Sequence, residues 1–378
     1  MSDVVSLLQD LVRIPSINPA SARSEESAGE GLLAETIEQW LAEAGVPVAR
    51  QTVAPGRHNL LAVVPGQGQP GLLLEAHLDT VGAAGMSHPP FSGEIREGRV
   101  WGRGACDDKA SVAAMLLATR RAARENLPCG LLLALVVDEE YGFTGIERLL
   151  AEPLPLAVRG AVVGEPTGLE VIDRHGGAVR MRLTAHGRAA HSAYPEAGDN
   201  AIYHAMRLVE ACERHHAELQ QRDLDGVRTC SVTLIEGGEA VNIIPESCAL
   251  TVDRRLAPGE RPEAVRAELE ALVAAAAQGH FACETAALLL DPPLSPREPA
   301  PLAELCLRLA GEVTGQRVRR GVTYSTDASN LAETGLEAVV LGPGDIAQAH
   351  GAEEWVDAEQ VEQAAEIYYR LAVGVAEM

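Results

Sequence analysis

The stretch GLLLALVVDEEYGFTG, residues 130–145, runs seven apolar residues, Leu131 to Val137, directly into Asp138, Glu139 and Glu140. An uninterrupted apolar run of that length predicts a strand buried on both faces, as in parallel sheets covered by helices. Three carboxylates at the lip of such a core repel one another and resist desolvation. They call for a compensating positive charge.

Three further segments share the pattern of an apolar run that ends in a group able to bind a ligand. GLLLEAHLD ends at His77 and Asp79, GAVVGEPT reaches Glu165, and LEAVVLGPGDIAQAH passes a turn at Gly342 to Gly344 before His350. Helical patterns separate several of these runs, so the expected fold class is α/β, with a central, largely parallel sheet flanked by helices. Ligand groups then gather at the carboxyl ends of the strands. SEESAGEGLLAETIEQWLAEAG, residues 24–45, predicts an amphipathic helix with acids in its first turns, Leu33, Ile37, Trp40 and Leu41 on one face, and Gly45 as its stop.

The middle of the chain reads differently. AVRMRLTAHG alternates, a helix follows over 200–220, and then come the strands CSVTLIEG and SCALTVDRRL, a second helix in PGERPEAVRAELEALVAAAA, and a last strand in CETAALLL. This is the β-α-β-β-α-β order of a ferredoxin-like α+β domain, with one sheet face exposed or used for packing. The expected division is a catalytic domain over 1–174 and 292–378, interrupted by the insert at 175–291; DPPLSPREPAP is the return linker.

Composition narrows the function. A formal net charge of −23 argues against electrostatic binding of nucleic acid or an anionic membrane. The sequence shows neither a basic-plus-apolar leader nor an apolar run long enough to span a bilayer. Seven scattered cysteines without a CxxC pair fit a reducing compartment, and cytoplasmic residence is the expectation. VPGQGQPG at residues 64–71 lacks the spacing of a phosphate-binding loop, and no serine or cysteine sits in a nucleophile elbow.

Each candidate group also has a plain structural reading: His77 as a hydrogen-bonded core residue, Asp107 in GRGACDDK as a helix N-cap, Glu165 as a turn cap, His350 as a loop residue. Their coincidence at the same end of several strands weakens those readings. A pair of divalent cations accounts for all of them if Asp107 bridges, His77 and Glu165 hold one ion, and Glu140 and His350 hold the other. Three carboxylates and a bridging hydroxide then neutralise two ions. The nitrogen–oxygen donor set suits zinc and is open to cobalt or manganese. Glu139 remains free to act as general base, and Asp79 is placed to orient His77.

HLDT, GRGACDDK, VVDEEYGFTG, VVGEPT, GRAAHSAYPEAGDNAI, EAVNIIPES and LGPGDIAQAHGAEEWV, taken in order, resemble the M20 metallopeptidases and deacylases. The resemblance implies the same five metal ligands, with Glu139 as base and Asp79 behind the first histidine. It further implies His191 as a histidine of the insert that reaches the active site, from the partner subunit in dimeric members. Asn242 and Arg255 match substrate contacts, and Gly342 to Gly344 match the substrate loop. Ala110, Gly82 and the RHGG at 174–177 depart from frequent family residues without removing a ligand. The expected activity is removal of an acyl group, foremost acetyl, from an N-acyl amino acid such as N-acetylornithine by a dimetal-bridged hydroxide. The expected assembly is a homodimer formed through the insert. A desuccinylase and a dipeptidase or carboxypeptidase are the enzymatic alternatives, and a non-catalytic binding protein of the same fold is the alternative from another class.

Overall fold

The structure is a computed structural model in which residues 2–22, 29–222 and 227–378 are described. In chain order the main sheet receives β1 (Val48–Ala54), β2 (Arg57–Val64), β3 (Gly68–His77), β4 (Cys129–Val136), β5 (Val158–Val163) and β6 (Val171–His175). The insert contributes β7 (Gly177–His186), β8 (Thr229–Gly237), β9 (Ser247–Leu256) and β10 (Cys283–Asp291); β11 (Arg319–Val322) and β12 (Glu337–Val340) return to the main sheet. Two compact units divide the chain: Met1–Asp173, Pro296–Gly321 and Thr326–Met378 form the first, Arg174–Ser295 and Val322–Ser325 the second.

The main sheet has the order β1-β2-β4-β3-β5-β12-β6-β11. Its parallel part is the run of four strands β4, β3, β5 and β12, while β1, β2 and β6 pair antiparallel with their neighbours. β4 is buried at every position because both of its faces are covered. Leu131, Leu133 and Leu135 join one apolar cluster with Leu72 and Leu74 of β3, Met115 and Leu116 of the helix Lys109–Ala122, and Ile367 and Leu371 of the helix Ala358–Gly374. Leu132, Ala134 and Val136 point the other way and are no more exposed. Of the N-terminal amphipathic segment, residues 24–28, with Glu25 and Glu26 among the predicted first-turn acids, lie outside the described residues, whereas Glu30 flanks the helix start. The helix is described over Gly31–Glu43, and it buries Leu33, Ile37 and Leu41 while Trp40 is only partly buried.

The second unit holds an antiparallel sheet in the order β8-β9-β7-β10, with helices Ala201–Arg222 and Pro262–Ala277 contributing to its apolar core. This is the ferredoxin-like arrangement. One-sided alternation holds in β7 but not in β9, which is buried almost throughout. The interior charges of β9 are tolerated because they are paired: Asp253 accepts from Arg180 and Arg255, each at 2.8 Å, and Arg254 meets Glu260 at 2.9 Å. Among the described residues, no helix is long and apolar enough to cross a membrane.

One close approach sets the end of β4. A Cβ on Gly145, in the first turn of the helix Thr144–Leu150, would lie 2.0 Å from the Val137 carbonyl oxygen. Asn59 stitches the same junction, donating to the Gly145 carbonyl at 2.8 Å and accepting from the Val137 N–H at 3.2 Å. Gly145→Ala is therefore expected to lower stability by about 1–3 kcal/mol, as overpacking does. The readout is a lower urea midpoint at unchanged slope; an unchanged midpoint would refute the contact.

Candidate metal centre

The four parallel strands each deliver a group at their carboxyl ends. His77 closes β3, Glu139 and Glu140 follow β4, Glu165 follows β5, and the Gly342–Gly344 loop that leads to His350 follows β12. Asp107 comes from the turn before the helix Lys109–Ala122. The flanking residue of that helix is Asp108, so Asp107 is not its N-cap.

Asp107 stands between two imidazoles. Its Oδ1 lies 3.0 Å from His77 Nε2, and its Oδ2 lies 3.2 Å from His350 Nε2. Glu140 is 2.9 Å from the same His350 nitrogen, and Glu165 is 3.9 Å from His77 Nε2. The ligand atoms of His77, Asp107 and Glu140 fall within 4.8 Å of one another, as do those of His77, Glu139 and Glu165. His77 Nδ1 sits 2.9 Å from the Asp79 backbone carbonyl. A carbonyl only accepts, so Nδ1 carries a hydrogen; the Asp107 carboxylate only accepts as well, so Nε2 donates to it here, and it is Nε2 whose lone pair would become available to a cation.

The Asp79 carboxylate differs from its expected use. At 3.6 Å it is beyond hydrogen-bond reach of the imidazole, and it accepts instead from the N–H groups of Glu139 (3.1 Å) and Glu140 (3.2 Å) and from Asn18 (2.8 Å). Asp79 thus orients His77 through its main chain and the diacid segment through its side chain. Asn18 donates its other hydrogen to Asp138 at 2.8 Å, and Arg57 joins Asp138 to Glu30. Asp138 holds a left-handed φ of 68°, which lets the chain turn from β4 into the two glutamates. Neither Asn18 nor Arg57 stood out in sequence, for an Asn or Arg far along the chain carries no local pattern.

The electrostatics are those of acids short of counter-charge. Burial pushes the Glu139, Glu140 and Glu165 carboxyls up, the first and last well above the usual range; it takes Glu75, on the strand two residues before His77, to about 8 and Asp108 to about 7. Hydrogen bonds to Asp107 and Glu140 lift His350 to about 10. Burial opposes the charge on His77, but Asp107 and Asp79 outweigh it and its pKa also rises. Burial likewise opposes the Asp107 anion, yet the two imidazoles hold it below the usual carboxylate range. Without a cation the cluster balances itself by keeping protons. Imidazole and carboxylate donors converging at these distances fit a pair of divalent ions.

At Gly342 and Gly344 the backbone runs too close to its neighbours for a side chain. A Cβ at Gly342 would meet the Glu165 carbonyl at 2.5 Å, and one at Gly344, whose φ is 91°, would meet Cys106 Sγ at 2.5 Å. Cys106 is fully buried, and burial pushes its thiol well up, as suits packing rather than nucleophilic attack. His191, Asn242 and Arg255 belong to the second unit. His191 is exposed, with Nδ1 accepting from the Ala193 N–H at 3.1 Å, and Ser192 donates to the Asn242 carbonyl at 2.9 Å. Arg255 is already paired with Asp253.

The sequence model described as Peptidase family M20/M25/M40 matches residues 73–373. An acetylornithine deacetylase of Myxococcus xanthus is 33% identical over 357 residues, covering 92% of this chain and 88% of that protein. A probable carboxypeptidase of Aspergillus niger is 30% identical over 400 aligned positions, covering 98% and 89%. Among solved structures, an M20 family metallo-carboxypeptidase of Sulfolobus solfataricus matches with a TM-score of 0.80 at 17% identity, covering 99% of each chain, a likeness of fold.

The raised carboxyls bind more protons in the folded than in the unfolded chain above their ordinary pKa, and the raised imidazoles do so above theirs. Both contributions are present in mild acid and are lost as pH climbs through the folded values, about 7 to 10 where these are given. The melting temperature of chelator-treated protein is therefore expected to fall between about pH 5.5 and pH 8.5, and added zinc to restore more of it at the upper end. A flat profile in metal-free protein would contradict this charge compensation.

Proposed function

The chain belongs to peptidase family M20/M25/M40 and is a metal-dependent amide hydrolase; from that premise we propose that it removes an acyl group, foremost acetyl, from an N-acyl amino acid of the acetylornithine type. The observation that carries the reading is Asp107, whose two oxygens separately face His77 and His350 while Glu165 and Glu140 flank the respective imidazoles. Asp107 would be shared by two ions, with His77 and Glu165 holding one and His350 and Glu140 the other. Zinc is the first choice of metal, and cobalt or manganese would serve.

When bound, the ions supply a water acidified toward neutral pH and polarise the scissile carbonyl. The protein's own part is positional and protonic. Glu139 is half-buried, desolvation raises its carboxyl above the usual range, and its main chain is pinned by Asp79. It accepts the proton of the attacking water and hands it to the departing amine. His191 steadies the developing oxyanion, and Asn242, Arg255 and the Gly342–Gly344 loop hold substrate. Arg255 would share its guanidinium between Asp253 and a substrate carboxylate.

A cytoplasmic homodimer formed through the insert belongs to the same reading. Its support is the edge strand β8, where Leu234 and Ile235 are exposed, together with cysteines that are all free. A carboxypeptidase is the second reading, favoured by the Aspergillus niger relative.

Glu139→Gln is expected to lose about a hundred- to ten-thousandfold in kcat while still binding two ions; near-native turnover would remove the base from Glu139. A chelator should abolish activity, and zinc, cobalt or manganese should restore it. Hydrolysis of N-acetyl amino acids ahead of N-succinyl substrates and dipeptides is the expected order, and cleavage of peptides alone would favour the second reading.

A further inference from the structure

Arg103 and Glu354 form an ion pair at 2.5 Å whose side chains are only 3% and 1% exposed. Neither residue touches the ligand atoms, yet each reaches segments that carry them. The Arg103 guanidinium donates through Nε to the Gly82 carbonyl (3.1 Å) and through Nη2 to the Gly351 carbonyl (3.2 Å), so it grips the loop after Asp79 and the residue after His350. Glu354 Oε1 accepts from the N–H groups of Cys106 (3.0 Å) and Asp107 (3.2 Å). Three segments distant in sequence are thereby tied to one another: the loop behind His77, the turn bearing Asp107, and the loop bearing His350.

The two expected ligand sets differ in support. His77 and Glu165 sit at the ends of adjacent central strands, whereas His350 sits on a loop, half exposed and at a left-handed φ of 60° that a residue with a Cβ adopts only under constraint. The Arg103 grip on the next carbonyl supplies that constraint. We propose that the Arg103–Glu354 pair is a positioning strut that sets the His350 ligand arm against Asp107 and so determines the affinity of the second metal site. This rests on the two-ion reading above.

The test is a pair of variants titrated with cobalt(II) after metal removal, followed by calorimetry and the visible cobalt spectrum, with melting of the metal-free forms alongside. Glu354→Gln keeps an oxygen for the two amides but removes the charge. The double variant Arg103→Met/Glu354→Gln removes both charges, a change that is often neutral for stability. Expected for the double variant is near-native melting, a second cobalt ion bound about 10- to 100-fold more weakly, a first ion little affected, and kcat reduced with KM unchanged. If melting and both affinities return together, the pair is a stabilising contact only and the proposal is overturned. If the double variant does not fold, Arg103→Lys, which keeps the charge but cannot reach Gly82, Gly351 and Glu354 at once, carries the same expectation and the same refutation. If neither variant folds, the pair is a folding requirement and the strut is likewise overturned. Native protein that binds a single ion would instead sink the two-ion reading.

Discussion

The two oxygens of Asp107 are engaged separately, by His77 at 3.0 Å and by His350 at 3.2 Å, and the carboxylate itself is buried with little water to share its charge. Most of what surrounds the site follows from holding that carboxylate still. A buried anion is tolerated only with partners, and partners are useful only when their spacing is set from outside. The turn that carries Asp107 is therefore tied by its own N–H to Glu354, and the N–H groups of Glu139 and Glu140 donate to the Asp79 carboxylate, which also accepts from Asn18.

Parallel sheet geometry explains why so many acids assemble in one place. Neighbouring parallel strands end on the same side, so β4, β3, β5 and β12 bring Glu139 and Glu140, His77, Glu165 and the His350 loop to one rim without any long-range search by individual side chains. The strand bodies do the opposite work. Their leucines and valines make the rim dry, and dryness is what raises the carboxyls and makes a cation worth holding.

The strands and their polar ends were legible in sequence because each is a short local pattern: an apolar run, then a histidine or acid. The βαββαβ order of the insert was legible for the same reason. The supports were not. Asn18 meets Asp79 across 61 residues, and Arg103 meets Glu354 across 251, and no periodicity links such pairs. Asp79 stands beside His77 as expected, but its carboxylate also holds the backbone of the diacid segment, which a linear reading has no means to place. The burial of β9 has a related cause: its charges are held inside by partners outside the strand, on β7 and in the following turn.

His350 holds a backbone conformation that glycine or asparagine would adopt at lower cost. Drift toward either residue would relax the loop and delete an imidazole in the same step. If His350 holds an ion as proposed, selection for thermal robustness and selection for turnover pull in opposite directions at this position, as they do wherever strain is stored at a working site. A lineage that abandoned catalysis would be free to shed that tension. Replacement of this histidine by a small or amide residue is accordingly the mark by which a retired, purely binding descendant of this fold would be told from a working one.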